Sequence, residues 1–116
     1  MSVDKKTIGI AKGNLAALAS LVESGNFASE LDAAKFAMAY AVRSGVSAGA
    51  TEGADTKWNV GSVDPDGSLR SLIEALYPDV AEPYRLAEYF MNEGVKILAS
   101  TQVGRVDVYD ALFAAG

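Results

Sequence analysis

The side chains of this 116-residue chain that could do chemistry are few, because it contains neither histidine nor cysteine. That excludes imidazole bases, thiolate nucleophiles, disulfides and the Cys/His sets that hold zinc. Carboxylates, lysines and tyrosines remain. Asp64 and Asp66 stand in Asp-Pro-Asp-Gly-Ser, an Asp-x-Asp-Gly element that invites comparison with a calcium loop. An EF-hand with Gly67 at its sixth position needs an acidic ligand where this chain has Ile73, so the spacing fails and the element reads as a turn that caps the next helix. No Gly-x-x-x-x-Gly-Lys-Ser/Thr occurs, so nucleotide hydrolysis has no support. We expect no catalytic residue, no metal and no cofactor, and an activity that consists of binding.

Charge gives the binding residues. Residues 1–45 carry 5 Lys/Arg against 4 Asp/Glu, and residues 46–116 carry 5 against 11. Lys5, Lys6 and Lys12 form the concentrated positive patch, the group expected to meet nucleic-acid phosphate. The acidic second part suits a protein partner instead. Tyr40, Tyr77, Tyr84, Tyr89, Phe90 and Tyr109 resemble stacking platforms in type, but their helical spacing assigns most of them to a core or interface. Trp58 lies outside strong periodicity beside Lys57, where it serves as a partner anchor or covers the edge of the core.

These residues need elements to position them. In residues 5–12, Ile8 and Ile10 fall on one face of an extended segment and Thr7, Gly9 and Ala11 on the other, which predicts a short strand. Gly13-Asn14 caps a first helix over about residues 15–24, with Leu15, Leu18, Leu21 and Val22 in phase and Gly25 at its end. Ser29 with Asp32 opens a second helix that runs to about Ser44 and stops at Gly45. Ala33, Ala34, Ala37, Met38 and Ala41 line one side of it and Phe36 and Tyr40 another, so it should be buried all round. Residues 45–62 read as a flexible loop with a short extended piece around Trp58 and Val60. Leu69, Leu72, Ile73, Leu76 and Tyr77 form the stripe of a third helix stopped by Pro78. Pro83 begins a fourth, whose end near Asn92 or beyond is left open by Gly94. Residues 103–113 fit a strand or a short helix equally.

The order strand, helix, Gly turn, Ser-capped helix over residues 5–44 resembles the ribbon-helix-helix family. The resemblance rests on Lys5 to Ala11, Leu15 to Val22, and Glu23-Ser24-Gly25-Asn26-Phe27-Ala28-Ser29 leading into Ala33, Ala34, Ala37 and Met38. It implies a dimer whose paired strands lie in the DNA major groove. Thr7, Gly9 and Ala11 would then face bases, Ile8, Ile10, Ala37 and Met38 would form the dimer core, and Ser29 would meet a phosphate beside Lys5, Lys6 and Lys12. Gly9 and Ala11 carry no side-chain donor or acceptor and Glu30 and Asp32 oppose phosphate, so the expected contact is weak and sequence-independent. Phe27-Ala28-Ser29 to Gly45, Val60 to Gly67, and Pro83-Tyr84 with Glu88 and Glu93-Gly94 also look like small accessory proteins of bacterial DNA phosphorothioation systems.

The reading is therefore a mainly α single domain. A ribbon-helix-helix-like unit over residues 5–44 is followed by a flexible loop over 45–62 and, over 63–116, a helical extension of two or three helices that covers Phe36 and Tyr40. The expected function is that of a non-enzymatic, DNA-associated regulatory or DNA-modification accessory protein, a homodimer or higher homo-oligomer in the cytoplasm. The alternative is a protein-interaction adaptor without DNA contact, whose acidic second half engages an unidentified partner. No apolar run approaches the length of a membrane span, so no membrane role is expected.

Overall fold

Strand β1, Thr7–Ala11, lies at the centre of the fold in a computed structural model that describes residues 4–51 and 53–101. The boundary of this strand agrees with the sequence pattern, but its partner does not. β1 pairs antiparallel with β2, Ala54–Asn59, within the same chain. The stretch expected to be a flexible loop thus contributes half of a two-stranded sheet, and β1 has no need of a second copy. Ile8 lies opposite Trp58 and Gly9 opposite Thr56, so Lys57 is an extra, bulged residue. Its ammonium meets Glu30 Oε1 at 2.7 Å, tying the sheet to the second helix.

After a 3-10 turn at Lys12–Asn14 come α1, Leu15–Glu23, and α2, Glu30–Arg43, both close to their expected bounds. Gly25 at φ 84° and Gly45 at φ 79° end them in the left-handed conformation that glycine adopts without strain. Ser29 caps α2 by accepting a hydrogen bond from the Asp32 amide at 3.2 Å. Asn14 corrects the sequence reading: it precedes α1 but makes no side-chain cap, because its amide is used elsewhere. A four-residue turn of helix, α3 at Val60–Val63, follows β2, and α4, Ser68–Leu76, follows the Asp64–Gly67 turn.

The last described helix, α5, runs without a break from Pro83 to Thr101. Gly94 does not end it. A Cβ at that position would overlap the Ala37 carbonyl of α2, so the glycine is what lets the two backbones cross in contact. The cost of about 1 kcal/mol for glycine in a helix is offset by that close approach. Ala33, Ala34, Ala37 and Ala41 of α2 pack with Ala87, Phe90, Met91, Val95 and Leu98 of α5 in one buried cluster, which Ile8, Ile10, Leu18 and Leu21 complete. The chain is mainly helical with a short antiparallel sheet.

Two further expectations change here. Ile8, Ile10, Ala37 and Met38, expected as a dimer core, are buried inside the single chain. Phe36 and Tyr40 stay half-buried, with Phe36 packed on Phe27 at 5.2 Å between ring centroids, so the helical extension does not enclose them. Residues 103–113 lie outside the described residues. Among the described residues no helix is long and apolar enough to cross a membrane.

Candidate functional site

A strand in a two-stranded sheet has one free edge, whose amides and carbonyls must find partners if they are buried. The edge of β1 away from β2 finds them on α5. Glu88 and Asn92, one turn apart and fully buried, face the strand. Gly9 N donates to Glu88 Oε2 at 2.8 Å and Ala11 N donates to Asn92 Oδ1 at 2.8 Å. Asn92 Nδ2 returns a hydrogen bond to the Gly9 carbonyl at 3.1 Å and another to the Glu88 carbonyl at 2.9 Å. Asn14 Nδ2 donates to Asn92 Oδ1 at 3.0 Å. The two side chains therefore act as a substitute strand. Lys5 neutralises Glu88 across 2.6 Å, while Glu88 Oε1 has no hydrogen-bond partner among the described residues.

Below this network two carboxylates hold the starts of α4 and α5. Asp4 accepts from the amides of Tyr84 at 2.7 Å, Arg85 at 3.1 Å and Lys5 at 2.7 Å. Asp64, almost fully buried, accepts from the amides of Leu69 at 2.9 Å and Arg70 at 3.0 Å and from the Tyr84 hydroxyl at 2.8 Å. Burial opposes its ionisation, but those three donors outweigh the burial and hold its carboxyl below the usual range. Burial, reinforced by Asp64 as acceptor, pushes the Tyr84 phenol up to about 12. The Asp64–Gly67 segment is thus the helix-capping turn expected from its sequence, and Asp66 completes it by accepting from Ser68 N at 3.0 Å. No cluster of three or more His, Cys, Asp or Glu suited to a metal occurs among the described residues.

Two surface features flank the Ala81–Pro83 segment. On one side is a cleft of about 560 Å³ walled by Lys5, Lys6, Arg70, Gly61, Tyr84 and Asp4. On the other is an apolar groove of about 510 Å³ with Leu76, Tyr77, Val80 and Leu86 among its lining side chains and Asp79, Glu82 and Arg85 as its charged members, Arg85 Nε lying 3.0 Å from Glu82 Oε1. Leu76 is 49% exposed, as is Leu72 one turn earlier on α4. Of the regular stripe read from the sequence, only Ile73 is buried. Ile73 anchors the helix together with the half-buried Leu69 and Tyr77, and its two outer leucines stay open.

The residues expected to bind DNA are dispersed. Lys5 and Lys6 share the cleft, but Lys12 lies past the other end of β1, about 20 Å away at 3.3 Å per residue. Neither Lys12 nor Ser29 lines the cleft. Lys5 is engaged by Glu88, and Ser29 by its own helix. In the row expected to face bases, Gly9 is buried with its amide taken, while Thr7 and Ala11 are half-buried. Thr7 Oγ1 faces Thr56 Oγ1 at 3.5 Å across the sheet. Trp58 is half-buried against the core opposite Ile8, with Lys57 Nζ 5.9 Å from its ring centre. Sequence reasoning missed Glu88, Asn92, Asp4, Arg70 and the α4 groove. A signal existed only for the groove, in the excess of leucines on one short helix.

Comparison with known protein families, with curated proteins and with solved structures finds no match.

Proposed function

We propose that the protein is a non-enzymatic interaction module that binds a basic amphipathic helix of a partner protein in the groove between α4 and the start of α5. The observation that carries this reading is Leu76, 49% exposed on the wall of a groove it shares with Tyr77, Val80 and Leu86, whereas the equally exposed Leu72 lies outside that groove, beside Leu69 and Val63. A helix laid in such a groove covers Leu76 with its apolar face. Asp79 and Glu82 outnumber Arg85 on the groove wall, which leaves it net negative and favours positive charge on the partner's flank, in keeping with the chain's net charge of −5. The strand-helix-helix order of residues 5–44, similar to the ribbon-helix-helix unit, serves in this reading as the scaffold that α5 completes. A ribbon inserted in DNA draws no support from β1, because both of its edges are used within the chain.

The test is a titration of the whole chain with a lysine-flanked, leucine-faced helical peptide, followed by calorimetry. Saturable binding that is lost on Leu76→Lys and persists with Lys12→Ala supports the reading. Leu76 is half-exposed, so its substitution leaves the fold in place. Equal binding of the Leu76→Lys variant, or no binding of this peptide, overturns it. Concentration-dependent dimerisation abolished by Leu76→Lys replaces the foreign helix with a second copy of the chain and refutes the assigned partner.

A further inference from the structure

The cleft on the other side of Ala81–Pro83 has a different chemistry, independent of the groove. Its acceptors are spent: both Asp4 oxygens are occupied by the amides of Lys5, Tyr84 and Arg85. Asp64, just behind the wall, is saturated by Leu69, Arg70 and Tyr84, and Glu88, whose Oε2 holds Lys5, is fully buried and does not line the cleft. Its donors are open. Lys6 is exposed, and among the described residues its side chain has no hydrogen-bond or ion-pair partner. Arg70 uses only Nε, toward Glu74 at 3.4 Å, an exposed i,i+4 pair of little strength, which leaves its terminal nitrogens for a ligand. The mouth of the cleft therefore presents an ammonium and a guanidinium with no competing free carboxylate on its wall.

We infer that this cleft binds a small organic phosphomonoester, with Arg70 and Lys6 on the phosphate. Two open cations match the dianionic charge of a monoester, and a guanidinium fork matches two of its oxygens. About 560 Å³ is far more than a phosphate fills and lies in the range of small-molecule sites, so an organic body has room beside Val60, Pro83 and the Tyr84 ring. The Tyr84 hydroxyl donates its hydrogen bond to Asp64, so it positions the wall and is not a donor to the ligand.

The experiment is an NMR titration of the 15N-labelled whole chain with inorganic phosphate, with a nucleoside monophosphate and with a dinucleotide phosphodiester. Saturable shifts confined to Lys6, Gly61, Arg70 and Tyr84, with the monophosphate binding at least as tightly as free phosphate, support the site. Arg70→Ala and Lys6→Ala should each weaken binding about tenfold or more, and Arg70→Lys should recover only part of the loss because it lacks the fork. Both side chains are exposed, so these variants fold. No saturation by any of the three probes, or shifts spread equally over Lys12 and Lys96, overturns the site. Tighter binding of the dinucleotide than of the monophosphate overturns the monoester assignment and points to a nucleic-acid backbone. Unchanged affinity in Arg70→Ala removes the residue on which the inference rests.

Discussion

Replacing Asn92 by alanine tests whether α5 substitutes for a strand. The amide of Asn92 makes four side-chain hydrogen bonds, two of them to β1, at Ala11 N and Gly9 O. Truncation strands those two backbone groups beside a buried helix that offers nothing in exchange. Leaving one buried polar group unsatisfied costs about 1–3 kcal/mol, so the pair predicts a loss of about 2–6 kcal/mol. Against a total stability of about 5–15 kcal/mol for a domain of this kind, the effect is large. Urea unfolding followed by Trp58, the only tryptophan, reads it directly. With a slope of about 2 kcal/mol per molar urea, the midpoint should fall by about 1–3 M. Hydrogen exchange localises the loss, since the Ala11 amide should lose protection relative to Ile8 and Ile10. Asn26→Ala is the control, because that side chain is exposed and bonds only to Ser24 Oγ, and its midpoint should move little. A loss below about 1 kcal/mol in Asn92→Ala, with the Ala11 amide still protected, would refute the substitute-strand account.

Gly94→Ala should destabilise by about 1–3 kcal/mol or more, because the new methyl overlaps the Ala37 backbone, whereas Gly13→Ala, with open space around it, should be near neutral in the same assay. Lys5→Met should cost about 3 kcal/mol by leaving the carboxylate of Glu88 buried without its cation, a loss that thermal unfolding would detect. Because the Asp64 carboxyl is held below its ordinary value, it adds stability above the unfolded-state value of 3.8, and that part is lost as pH falls through the lowered folded value. Asp64→Asn should therefore flatten the acid limb of a stability-pH curve, and an unchanged acid limb would exclude Asp64 as its source. The Tyr84 phenol is pushed up to about 12, so the difference between wild-type and Tyr84→Phe ultraviolet titrations should rise near pH 12 and not near 10.

Local rules carried much of the fold. Strand β1, helices α1 and α2, the capping of α2 by Ser29 and the glycine ends at Gly25 and Gly45 all follow from side-chain type and spacing within a few residues. So does the Asp64–Gly67 turn, where Asp66 bonds two residues ahead and Asp64 five and six. What only the tertiary structure decided is where chains of unrelated spacing meet. β2 carries Ala, Asp, Thr, Lys and Asn around one tryptophan, too polar a run to announce a strand, and it forms because β1 offers a ladder on one side. Gly94 reads as a helix breaker until the Ala37 backbone is seen against it. Nothing in the spacing of Glu88 and Asn92 gives them a role, and Lys5, Lys6 and Lys12 read as one basic cluster. Packing α5 under β1 decides both: it buries Glu88 and Asn92, draws Lys5 inward to Glu88, and leaves Lys12 at the far end of the strand. Sequence spacing specifies which side chains share a face of one element. Which face is buried, and against what, depends on partners about 80 residues away along the chain.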